Sequence, residues 1–250
     1  MRSLAVNFVL AADPGSCCIA AKFLRSVSGL LDMKYVRAYY FQMTKVTNRT
    51  RILNEGLRVV HERGLIGASV RDIIQAAGVP QGSFTNHFVS KEAFCLEVLD
   101  IYFEGIRKVL QETILNEALS PTARVRAYVD ANVRKVSGHG LKNGCLIGNF
   151  SIETGGHSEV IRQRIVEIYE EIMAAMAGCL KAAASADELV SPIAPDVLAG
   201  FIFSSLQGAI MQAKAELSPA PLERFGQVLF TAILKPQAGV AAKSKTKKRP

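Results

Sequence analysis

The sequence predicts an all-α protein, and three observations carry that prediction. Apolar side chains recur at three- and four-residue spacing in segment after segment from residue 48 to residue 234, the period of amphipathic helices. Ser and Pro stand where such segments begin and Gly where several end. No sheet signal appears between 118 and 234. The chain has 250 residues, 49% hydrophobic and 21% charged, a globular composition too apolar for disorder. No run approaches the roughly 18 apolar residues of a membrane-spanning helix. With 19 Gly, 9 Pro and 5 Cys, collagen-like, coiled-coil and disulfide-scaffold classes are excluded as well.

The elements follow in order. Residues 48–63 place Ile52, Leu53, Leu57, Val59 and Val60 on a helix with a basic start, and Gly64 is expected to stop it. Ser69-Val-Arg-Asp72 resembles a capping box and opens a short helix with Val70, Ile73, Ile74 and Ala77 apolar, broken by Gly78. Pro80 is expected to begin a third helix running to Phe88, since its missing amide proton costs nothing there. Ser90 is the expected N-cap of a fourth helix over about 91–115. Beyond it, helices are expected at Pro121–Ser137, 158–184, 195–216 and 221–234. Segment 195–216 is apolar nearly all round, which requires burial on two sides: its own core and a partner subunit.

Charge is concentrated at the ends. The net +8 divides into +4 over residues 1–46, +6 over 235–250, +3 over 47–91 and −5 over 92–234. Basic ends beside a basic internal segment fit a polyanionic partner. Residues 4–12 look like the apolar part of a secretion signal, but Asn7 interrupts the run and Asp13 ends it. Residues 1–46 are therefore expected to be a disordered extension or a mis-assigned start, with Met43 or Met33 as the natural beginning. The tail 235–250 is low in complexity and expected to be disordered. The cysteines (Cys17, Cys18, Cys95, Cys145, Cys179) are odd in number and show no CxxC pair, and the histidines are scattered. No metal site and no cofactor are expected, and reduced thiols in the cytoplasm are the default.

Two short helices joined by a Gly-containing turn behind a support helix match a helix-turn-helix, in 47–95. The second short helix would read DNA. Its outer residues Gln81, Ser83, Thr85, Asn86 and His87, with Gly82, are small or polar hydrogen-bonders suited to base edges and phosphates. Phe84 and Phe88, four apart, would anchor its inner face.

The run Gly64, Ser69-Val-Arg-Asp-Ile-Ile-Gln-Ala-Ala-Gly-Val-Pro80, Gly82-Ser-Phe84, His87-Phe88 and Ser90-Lys-Glu-Ala-Phe94 resembles the TetR family of one-component repressors. The resemblance implies that Ser69 and Arg71 lie close to the DNA backbone and that Lys91 clamps a phosphate at a helix N-terminus. Thr85 stands where the family usually has a phosphate-contacting tyrosine, and Val89 where a polar residue is frequent. Both departures imply weaker backbone affinity, offset by the basic arm Lys45, Arg49 and Arg51. The resemblance also implies an effector-binding and dimerisation domain over 96–234, with a homodimer formed through 195–234 that recognises a palindromic operator.

The stretch 140–154 is unusual, with Gly144 and Gly148 flanking Cys145 among apolar residues. Here the sequence is similar to a TetR subgroup that includes repressors of N-ethylmaleimide reductase and of acrylate-handling genes, which shares the Gly-Cys-Leu start and a later Gln-Ala-Lys, here Gln212-Ala-Lys214. A nearby ammonium lowers a thiol pKa, so Cys145 with Lys214 is a candidate sensor of electrophiles or oxidants. The alternative is that Cys145 is a small buried hydrophobe. Phe150, Met176, Phe203, Gln207 and Met211 are further candidates to line an effector pocket, while Cys95 and Cys179 belong to apolar stripes and are expected in the core.

The leading reading is a ligand- or redox-responsive repressor. Two others compete with it: a non-specific architectural protein, marked by a steep salt slope without sequence preference, and a thiol enzyme pairing Cys145 with His139 or His157. The enzyme reading lacks a base and orienting group at recognisable spacing.

Overall fold

In the computed structural model, residues 47–137, 141–154, 156 and 158–234 are described. The expectations for the extension, for Gly138, His139, Gly140 and His157, and for the basic tail lie outside these residues. Nine α-helices are present among the described residues, with one isolated antiparallel bridge between Leu189 and Leu234.

Helix α1 spans Asn48–Gly67 and does not stop at Gly64 as expected. Gly64 takes φ +80 and ψ 174, so the helix kinks there and one further turn follows. Helix α2 (Val70–Ala77) begins with the capping box. Ser69 Oγ accepts from the Asp72 amide at 3.1 Å, and the Asp72 carboxylate accepts from the Ser69 amide at 3.0 Å. Gly78 closes α2 in the left-handed region at φ +58, where a Cβ would be strained. Helix α3 (Ser83–His87) is shorter than expected. Pro80 starts a turn, its carbonyl accepting from the Ser83 amide at 2.9 Å, and the helix proper begins three residues later. Helix α4 (Lys91–Glu112) has Ser90 as its cap, and ends before residue 115. The expected boundary at 95/96 falls inside this continuous helix.

Helix α5 (Pro121–Lys135) starts on Ser120 and Pro121, and Lys135 is followed by a π-type turn. Helix α6 (Leu146–Glu153) lies in the 140–154 stretch, with Cys145 at its N-cap. Helix α7 (Glu159–Ser185) is capped by Ser158, and α8 covers Pro195–Glu216. Helix α9 (Ala220–Val228) runs into a π-helical turn at Leu229–Ile233, so the expected 221–234 helix is not α-helical to its end.

One continuous apolar core joins these helices. Phe84, Phe88 and Phe94 form a triangle with ring centroids 5.2–5.4 Å apart, which fixes α3 against α4. A Cβ on Gly56 of α1 would sit 2.3 Å from Phe94 Cζ, so α1 approaches that ring over a bare backbone. Helices α4 and α7 are cross-linked by Arg107 with Glu171 at 2.7 Å and Arg164 with Asp100 at 2.8 Å. No described helix is long and apolar enough to cross a membrane.

Candidate functional site

Two regions collect the residues singled out in the sequence. The first is the surface formed by α2, α3 and the start of α4. Gln81, Gly82, Thr85, Asn86 and His87 are exposed there, as are Ser69 and Arg71. Ser83 is not: it is 7% exposed, packed on the inner side with Phe84, so the expectation that it faces outward is corrected. The cause is register. With α3 starting at 83, its first residue falls on the face that Phe84 and Phe88 turn toward the core.

Several cations expected near DNA have partners within the chain. Arg49 pairs with Glu97 and lies 5.3 Å over the Phe88 ring. Lys91 Nζ donates to the Leu65 carbonyl at 2.5 Å, tying the start of α4 to the last turn of α1. Ser69 is occupied by the capping box, whose hydrogen bonds, with Arg63 beside them, hold the Asp72 carboxyl down at about 2. Thr85 donates its hydroxyl back to the Gly82 carbonyl at 3.1 Å.

The second region surrounds the start of α6. A cavity of about 190 Å³ is walled by α1, α4, α5, α7 and α8, with His61, Tyr102, Tyr128, Lys135, Cys145 and Gln207 among its polar residues. A more open cleft of about 680 Å³ adjoins it and holds Lys142, Asn149, Met211 and Lys214. Gly144, Cys145, Tyr169, Gln207 and Ile210 line both. The structure thus brings together Cys145, Gln207, Met211 and Lys214, and Phe203 lies on the wall of the smaller cavity. Phe150 is fully buried in the core and lines neither space.

Local geometry explains the glycines. Gly144 takes φ +66, and a Cβ there would lie 3.1 Å from Lys214 Cδ. The Lys214 side chain therefore passes over the backbone just before Cys145, and its ammonium donates to Asn149 Oδ1 at 3.2 Å. On the other side, Lys135 Nζ lies 4.4 Å over the Tyr102 ring and 3.3 Å from its hydroxyl. Burial, and the Cys145 thiol beside it, push the Tyr102 phenol well above its usual range, so it stays neutral. Burial raises Cys95 to about 12 and Cys179 to about 11, which makes both inert core thiols.

Helix α6 is fastened to α1 at both ends. His61 Nε2 lies 3.0 Å from the Gly144 carbonyl. Burial, foremost, lowers the His61 pKa, so the neutral ring is favoured, with Nε2–H as donor. At the far end the Glu153 carboxylate accepts from the Ile66 amide at 2.8 Å. It occupies the space that a side chain on Gly64 would fill.

Sequence reasoning missed His61, Tyr102, Tyr128 and Lys135 as cavity residues. One signal was available: Tyr128, Asn132 and Lys135 recur at helical spacing, a polar stripe on a helix whose neighbours are buried.

Comparison with known proteins gives consistent matches. Residues 52–98 match the model of bacterial regulatory proteins of the tetR family, and residues 121–229 match a tetracyclin repressor-like C-terminal domain. The chain is 36% identical to the HTH-type transcriptional repressor DhaR of Mycobacterium sp. strain GP1, over 77% of this chain and 95% of that protein. It is 32% identical to the transcriptional regulator AcuR of Cereibacter sphaeroides, over 70% and 80%. Among solved structures, a regulatory protein TetR from Rhodobacter sphaeroides superposes with a TM-score of 0.69 at 30% identity, covering 72% of this chain and 96% of that one. The reduced form of NemR from E. coli gives a TM-score of 0.69 at 27% identity, covering 76% and 99%.

Proposed function

The chain belongs to the TetR family of bacterial transcriptional regulators, and from that we propose that it is a cytoplasmic repressor that holds a palindromic operator as a homodimer and releases it when a reactive small molecule or oxidant reaches Cys145. Because its relatives are regulators, the thiol-enzyme alternative is set aside.

The observation that carries the reading is the position of α6. Cys145 begins it where the two cavities meet, and both its ends are hydrogen-bonded to α1, the support helix of the DNA-reading surface. A thiolate adding to the double bond of an electrophile such as N-ethylmaleimide forms a C–S bond, and the adjacent carbon takes up a proton. The adduct adds bulk where the two cavities meet, and a shift of α6 there is passed to α1 through the His61 and Glu153 hydrogen bonds. Such a ligand shifts the equilibrium only because it prefers the shifted state. Lys214 passes over Gly144, the residue before Cys145.

Dimerisation is supported by exposed Val197, Phe201 and Met211 on α8 and Val228 on α9, an apolar face no described helix covers. In the dimer two copies of α3 enter successive major grooves, where Gln81, Asn86 and His87 reach base edges and Arg49, Arg71 and Lys91 face phosphates. Lys91 and Arg49 then exchange their internal partners for phosphate oxygens.

The test is operator binding to DNA upstream of the protein's own gene, with and without N-ethylmaleimide, for the full chain and for Cys145→Ala. Release of wild type but not of the variant supports the reading. Equal release of both overturns the role of Cys145. Weak sequence preference with a steep salt slope would favour the architectural alternative instead.

A further inference from the structure

The lysine-rich segment 235–250 has no part in the reading above. It holds six basic groups and no acid: Lys235, Lys243, Lys245, Lys247, Lys248 and Arg249. The described residues fix where the chain delivers it. Helices α4 and α7 run side by side in the same direction, because three contacts join them at a nearly constant sequence offset. Glu92 accepts from the Ser158 hydroxyl, Asp100 bonds Arg164 at 2.8 Å, and Glu171 bonds Arg107 at 2.7 Å, offsets of 66, 64 and 64 residues. Helix α4 begins at the α2–α3 surface, so α7 begins beside that surface and leads away from it. The 27 residues of α7 rise about 40 Å. Just past its end, the Val190 amide donates to the Ile233 carbonyl at 3.1 Å and Leu189 bridges Leu234. The chain therefore enters 235–250 at the end of this helical body opposite α3.

We propose that 235–250 is a second, sequence-independent DNA contact, and that it takes hold of a duplex segment other than the one under α3. Charge selects the class of partner: closely spaced Lys and Arg without acids bind a nucleic-acid backbone by releasing its counterions. Distance selects which segment is held. Fifteen residues separate Leu234 from Arg249. A coil of that length averages about 20 Å end to end, half the span back to the α2–α3 surface. Covering about 40 Å takes roughly three quarters of full extension, at a cost in chain entropy. Acids at the exit do not absorb the charge, since Asp187, Glu188 and Asp196 already have partners there. The inference goes beyond the repressor reading, and the response at Cys145 plays no part in it. A regulator so equipped holds two stretches of DNA together.

The experiment compares the full chain with a full-length variant carrying Lys243→Gln, Lys245→Gln, Lys247→Gln, Lys248→Gln and Arg249→Gln, all outside the described helices. DNA upstream of the protein's own gene is immobilised and loaded with protein. A short labelled duplex of unrelated sequence is then added, over a series of salt concentrations. Wild type is expected to retain the second duplex. The variant is expected to retain about tenfold less, with a salt slope for the second duplex shallower by about 4. Affinity for the immobilised DNA should stay as in wild type. Equal capture by both proteins would reduce the segment to a solubility aid and overturn the proposal, as would capture by neither. A variant that binds the immobilised DNA about tenfold more weakly would put the segment on the same duplex as α3 and overturn it as well. Vesicles of phosphatidylserine and phosphatidylcholine form a further arm; vesicle binding that needs the five cations, without duplex capture, would assign the segment to lipid instead. If wild type shows no preference for upstream over unrelated DNA while capture still needs the five cations, the repressor reading fails and this inference stands.

Discussion

The DNA-reading surface and the cavity are built by opposite means. Helices α2 and α3 are specified by residues a few positions apart: Ser69 with Asp72, Gly78 at the turn, and Phe84 with Phe88. The cavity takes His61 from α1, Tyr102 from α4, Lys135 from α5, Cys145 from the start of α6 and Gln207 from α8. Local signals set the first, and packing between helices distant in sequence sets the second. A region of the first kind tolerates change one motif at a time. A region of the second kind responds as a whole, which suits a sensor.

The sharpest way to break this contrast is at the ring where the two regions share a core. Phe94→Ala removes a fully buried side chain from between α1, α3 and α4. A loss of about 3–5 kcal/mol is expected in urea denaturation. If the DNA-reading surface were self-sufficient, unfolding would split into two transitions; a single transition with a lower midpoint is expected. Next in size is Glu153→Gln, which weakens the hold of α6 on the Ile66 amide. Removing the charge costs about 1–2 kcal/mol. Operator binding without effector should persist, while the ratio of affinities with and without N-ethylmaleimide shrinks about tenfold. An unchanged ratio would show that the α6–α1 joint transmits nothing.

Ser69→Ala tests the local side. Losing the cap should cost about 1 kcal/mol and weaken operator binding, with no change in the response to effector. The smallest effect is with pH. The folded-state pKa of His61 is lowered below its ordinary 6.5, chiefly by burial; Lys135 and Lys214 add to the lowering, and the Gly144 carbonyl and Glu62 oppose it. The unfolded chain therefore takes up the proton first as pH falls. Stability should be flat above about 6.5 and decline below it. His61→Gln, which keeps a donor for Gly144, should flatten that decline in melts between pH 7.5 and 5.5.

How much was legible in the sequence follows the same division. The all-α class, the helix-turn-helix and most helix starts were readable because caps and breakers are local. The exceptions are instructive. Gly64 does break helical geometry, but Glu153, 89 residues on, supports another turn beyond it. Ser83 reads as outward from its polarity, but as the first residue of α3 it is buried beside Phe84. In the cavity, Cys145 and Lys214 were readable by chemistry. Tyr102 and His61 were not, since each sits in an ordinary amphipathic helix and acquires its role from α6 packing across it.

The brevity of α3 has a consequence of its own. Five helical residues rise about 7.5 Å, the length of roughly two base-pair steps. On the proposed reading α3 by itself spans a word of two or three letters, and such a word recurs constantly among the ~10⁶–10⁹ competing sites of a genome. On the proposed dimer, address information comes from grammar as well as vocabulary: the fixed interval between two such words, and the stiffness and groove width of the DNA that separates them.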